Sequence, residues 1–113
     1  MKKIKLLLAA LLSASAISHA ENIWVNDTNI TGIQALNDGR FIIYLPAGSG
    51  PVCNEGGKLF YVVPGQNGVN ADGAKTILSL ALIAQSTKNK ASIKYDNSTA
   101  SCYIQQLYLS NVQ

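Results

Sequence analysis

The stretch 72–89 constrains this chain more than any other, because it alone has the pattern of a long helix and it divides two β-rich halves. No proline or glycine interrupts 74–88. Asp72 can cap the first turn, and Lys88, Asn89 and Lys90 suit the negative end of the helix dipole. At 100° per residue, Ala74, Ile77, Leu78, Leu80, Ala81, Leu82 and Ala84 spread over roughly 200° of the helix surface, leaving Lys75, Ser79 and Ser86 a narrow polar stripe. One sheet cannot cover so wide an apolar face. Either another subunit packs on it, or the helix is sunk in the core of one domain.

Residues 1–20 read as a secretory signal. Lys2, Lys3 and Lys5 precede an apolar run over 6–17, and Ser18-His19-Ala20 is a small-residue exit that places cleavage before Glu21. The run is too short for a membrane anchor, so a periplasmic or secreted protein with no membrane span is expected.

The formal charge of +3 belongs to the precursor. Without Lys2, Lys3 and Lys5, six basic residues (Arg40, Lys58, Lys75, Lys88, Lys90, Lys94) face six acidic ones (Glu21, Asp27, Asp38, Glu55, Asp72, Asp96). No basic stripe is left for a nucleic acid or an anionic membrane. His19 and Met1 leave as well, and with them every histidine-based triad, Cys-His pair and histidine-ligated metal site. The six acids lie scattered over turns and ends with no obvious catalytic pair, so no enzyme and no cofactor are expected.

Residues 21–113 suffice for one small domain. Cys53 and Cys102 are expected to form one disulfide after export, closing a loop of about 50 residues worth roughly 4 kcal/mol in the chain-entropy model. Along this domain, a strand is expected over 30–36. Asn37-Asp38-Gly39 then gives a hairpin signal, and 40–45 returns as the second strand. Residues 46–57 form a glycine-rich loop, 58–63 a third strand, and 64–70 a loop without the lysine and hydroxyl of a phosphate site. After the helix, 91–95 and 102–109 complete five strands in the order β-β-β-α-β-β. That is the order of a five-stranded OB-fold-like barrel, a β-rich α+β class whose members bind oligosaccharides or oligonucleotides.

Several local features carry a resemblance. Asp27 stands four residues before the hydroxyl-glycine pair Thr31-Gly32, 53–56 reads Cys-x-Glu-Gly, and the helix is followed by the strand 91–95. In these the chain resembles small secreted bacterial proteins related to the binding subunits of subtilase-cytotoxin and pertussis-like toxins, in which five OB-fold subunits form a ring and bind host glycans. The resemblance implies a homopentamer, a glycan ligand and a separate catalytic toxin subunit that this chain does not contain. It also implies a shallow sugar pocket, with Thr31 in place of the usual serine and Asp27, Glu55 and Tyr95 as neighbours. Hydroxyls and carboxylates suit sugar hydroxyls, and a tyrosine ring suits the apolar side of a pyranose. Each also has a plainer reading: Asp27 as a turn former, Thr31 as a strand residue, Glu55 as a solvated loop residue, Tyr95 as packing. A protein-binding or inhibitor module, monomeric or dimeric and presenting 46–57 or 64–70, and a purely structural secreted module are the other expectations.

Overall fold

The computed structural model describes residues 21–110; the export signal expected over 1–20 lies outside them. Six strands and one long helix follow in the order β1 (Asn22–Thr28), β2 (Gly32–Ala35), β3 (Phe41–Tyr44), β4 (Leu59–Val62), α1 (Ala71–Thr87), β5 (Ala91–Asp96) and β6 (Ile104–Leu109). All pairings are antiparallel, and the strands form two three-stranded sheets, β1-β5-β6 and β2-β3-β4, rather than the closed five-stranded barrel expected. The added strand is β1. Its asparagines at 22 and 26 are poor strand formers and mask the alternation in which Ile23 and Val25 face the core. A break in register between Val25 and Thr28, with Asp27 at φ 49°, separates β1 from β2 and lets consecutive segments enter different sheets.

The β2–β3 hairpin forms where Asn37-Asp38-Gly39 places it, with Gly39 at φ 89°. Asp38 accepts from the main-chain N–H of Arg40 at 3.2 Å and from its guanidinium at 2.7 Å. The main-chain bond first, and the guanidinium with it, hold this carboxyl below its ordinary value.

Helix α1 is capped two residues earlier than expected. Asn70, not Asp72, is the cap, its side-chain oxygen accepting from Gly73 N–H at 2.7 Å; Asp72 sits in the first turn, where its charge favours the dipole. Lys88 ends the helix in the left-handed region at φ 58°. Ala74, Ile77, Ala81 and Ala84 are buried as α1 packs on β6 and more lightly on β2. Small residues at three of those positions bring the helix axis close to the sheets. No helix among the described residues is long and apolar enough to cross a membrane.

The core fills the space between the two sheets and α1, with Phe41, Ile43, Phe60 and Val62 from one sheet and Ala91, Ile93, Tyr95, Ile104 and Leu107 from the other. The disulfide Cys53–Cys102 ties the loop before β4 to the turn before β6. Main-chain bonds flank it, Asn54 N–H donating to the Ala100 carbonyl at 3.1 Å and Tyr61 N–H to that of Ser101 at 3.3 Å.

Candidate functional site

Of the four expected sugar contacts, three are exposed and one is buried. Asp27 is exposed on the β1 irregularity, which its main-chain N–H stabilises by donating to Ser92 Oγ at 3.1 Å. Thr31 is exposed, but its hydroxyl donates to the Tyr44 carbonyl at 3.1 Å, alongside the Thr31 N–H at 2.8 Å. Glu55 is exposed on a tight turn, Asn54–Gly57, in which it and Gly56 have left-handed backbone angles. Tyr95 corrects the expectation most clearly. It is 1% exposed and meets Phe60 edge to face, so its ring serves the core and offers no face to a sugar; burial pushes its hydroxyl pKa up. No hydrogen bond among the described residues joins any two of the four.

The outer face of β1-β5-β6 carries a different group. With Ile23, Val25, Ile93 and Leu107 turned inward, period-two alternation turns Trp24, Lys94, Gln106 and Tyr108 outward. Register sets Trp24 opposite Lys94 and Lys94 opposite Gln106, while Tyr108 stands opposite Ser92. The rings of Trp24 and Tyr108, 39% and 50% exposed, meet at 69° with centroids 5.5 Å apart. Lys94 Nζ lies 5.8 Å from the Trp24 ring centroid, a cation–π contact. Ser92 on the intervening strand is fully buried, sharing a 2.8 Å hydrogen bond with Ser110. Two large aromatic rings held in fixed geometry at the surface are costly in exposed apolar area, and such a surface suits a ligand with an apolar face and polar rim.

Tyr108 also opens onto a groove of about 510 Å³ between α1 and β6. Asn70, Gly73, Thr76 and Leu80 form its helical wall, and Gln105 and Gln106 face them. The loop side is fixed by Asn67, whose amide donates to Asn22 Oδ1 at 2.8 Å and to the Tyr103 carbonyl at 2.9 Å. Because β6 is the outer strand of its sheet, one row of its main-chain N–H and C=O groups faces away from β5.

No family model, curated protein or solved structure matches the chain. The surface chemistry therefore carries the functional reading. The sequence alone does not tell which of the aromatics, Trp24 and Tyr108 among them, are exposed; their off-alternation positions beside Ile23, Val25 and Leu107 are the available signal. Among the described residues, no group of three His, Cys, Asp or Glu side chains is placed to hold a metal ion.

Proposed function

We propose that this chain is an exported, non-catalytic carbohydrate-binding protein that acts as one of several copies. The observation that carries the reading is the exposed pair Trp24–Tyr108 with Lys94 beside it. The C–H face of a pyranose stacks on an aromatic ring while its hydroxyls reach flanking amides such as Gln106. Asp27 and Glu55, which the toxin-subunit resemblance would put in the pocket, remain available only as outlying contacts, and Thr31 only through the acceptor side of its hydroxyl.

We read the six strands as an opened OB-like arrangement. The run 22–35 supplies β1 to one sheet and β2 to the other, acting as a single bent strand, and β4 approaches β6 between the sheets. Self-association is supported by α1, where Leu82 and Ile83 are 49% and 45% exposed. The fuller form, five copies in a ring serving a separate catalytic chain, rests on the resemblance alone. The same exposed leucine and isoleucine favour a second reading, a protein-binding module that uses this helix face and binds no sugar.

Trp24 is the only tryptophan of the chain, so its fluorescence reports directly on the candidate face. A glycan array followed by fluorescence titration tests the reading. Saccharide binding with a blue shift of the Trp24 emission, lost in Tyr108→Ala with the fold intact by circular dichroism, is the expected result. No binding on the array, together with an unmoved spectrum, sinks the reading and leaves the protein-binding module.

A further inference from the structure

Resting on the carbohydrate reading, we propose that the ligand is a neutral oligosaccharide of at least two units, one stacked on Trp24 and Tyr108 and the next lying in the groove between α1 and β6. Tyr108 is the hinge of the argument, since its ring meets Trp24 on the sheet face and the same residue lines the groove. A unit on the platform therefore has the groove as its immediate neighbour. At about 510 Å³ the groove lies within the roughly 300–1,000 Å³ range of small-molecule sites.

The lining determines the kind of ligand. Among the described residues, none that lines the groove is charged. Its polar members are amides and hydroxyls, Asn70, Thr76, Gln105, Gln106 and Tyr108, and these offer donors and acceptors together. Asn70 uses its oxygen on Gly73 N–H and keeps its NH₂ group; Thr76 donates to the Asp72 carbonyl at 3.1 Å and can still accept. Among the described residues, the side-chain amides of Gln105 and Gln106 make no hydrogen bond to protein. A ligand carrying a carboxylate would find no cation in the groove to replace its lost hydration, and an uncharged polyol matches the mixed donors and acceptors without that penalty. Lys94, the cation of the platform, is positioned over Trp24 and does not line the groove.

The test is a Trp24 fluorescence titration of the purified protein with gluco-, galacto- and manno-configured mono-, di- and tetrasaccharides, and with their uronic-acid counterparts. Two or three further hydrogen bonds of ordinary strength predict an affinity gain of about tenfold or more from one unit to two in the preferred neutral series. Thr76→Tyr, which fills the groove from the exposed helix surface, and Gln105→Ala, which only removes an amide, should each erase part or all of that gain while monosaccharide affinity stays unchanged. If mono- and tetrasaccharides bind equally and both variants behave as wild type, the groove is not used and the inference falls, although the carbohydrate reading stands. Preference for the uronic acids that weakens with salt overturns the neutral assignment. If no saccharide moves the Trp24 signal, the carbohydrate reading itself has failed. A change in molar mass by light scattering in Thr76→Tyr, with saccharide affinity untouched, assigns the groove to a second copy instead.

Discussion

The rings of Phe60 and Tyr95 meet edge to face with centroids 4.9 Å apart and planes at 86°, joining β4 of one sheet to β5 of the other. This contact ties the two halves of the protein together at the point where both side chains are most deeply buried. Tyr95→Ala is expected to cost about 3–5 kcal/mol, measured by urea denaturation, through lost burial and the cavity left beside Phe60. Tyr95→Phe keeps the ring and should cost little.

The same residue predicts an alkaline effect. Burial raises the Tyr95 pKa in the folded state, whereas the unfolded chain ionises near the ordinary tyrosine value of about 10. Above that value the unfolded state loses its proton first, so stability falls as pH rises; below it the contribution is flat. Melting temperatures from pH 8 to 11 should therefore fall more steeply for the wild type than for Tyr95→Phe. Equal slopes would mean that the hydroxyl is not desolvated.

Thr31 uses its hydroxyl on the Tyr44 carbonyl. Thr31→Val should cost about 0.5–1 kcal/mol by loss of one exposed hydrogen bond, and Thr31→Ser nearly nothing. Neither should change saccharide affinity in the fluorescence titration. A large loss of binding in Thr31→Val would return the site to the position that the toxin-subunit resemblance implies.

How much of this was legible in the sequence depended on whether the signal was local. The helix, the Asn37-Asp38-Gly39 hairpin and the disulfide follow from composition and spacing over a few residues or from the cysteine count. The helix cap moved from Asp72 to Asn70 because both residue types cap well and the choice lies with the loop that enters the helix. Strand β1 was missed because Asn22, Asn26 and Asp27 dilute the apolar alternation, and its partner β5 lies more than 60 residues away. Tyr95, by contrast, could have been placed in the core: it follows Ala91 and Ile93 at period two, so all three share one face. The Trp24–Tyr108 platform needs the order β1-β5-β6, a long-range property that no local pattern encodes.

Gly50 is buried where a side chain has no room. A Cβ there would collide with the Cys53 sulfur and lie 2.8 Å from Phe60 Cζ. Gly50→Ala should therefore cost about 1–3 kcal/mol, because both obstacles belong to the rigid core rather than to flexible surface chains. Thermal melts check this directly. A melting temperature equal to wild type would show that the loop carrying the disulfide can shift at no cost.

The exposed end of α1 decides between solitary and assembled forms. Leu82 and Ile83 are adjacent in sequence and both about half exposed, while Ala81 and Ala84 on either side are buried. Replacing either with glutamate keeps good helix propensity and removes no core contact, so the fold should keep its melting temperature to within the effect of an ordinary surface change. If copies meet through this face, each buried leucine or isoleucine contributes about 1.5–3 kcal/mol, and a charge placed there adds its own desolvation cost. Light scattering after gel filtration should then show a discrete oligomer for the wild type and a monomer for Leu82→Glu with Ile83→Glu. A wild-type monomer at high concentration would remove self-association. An oligomer that survives both glutamates would move the interface elsewhere, with the free edges of β1 and β6 next to be tested.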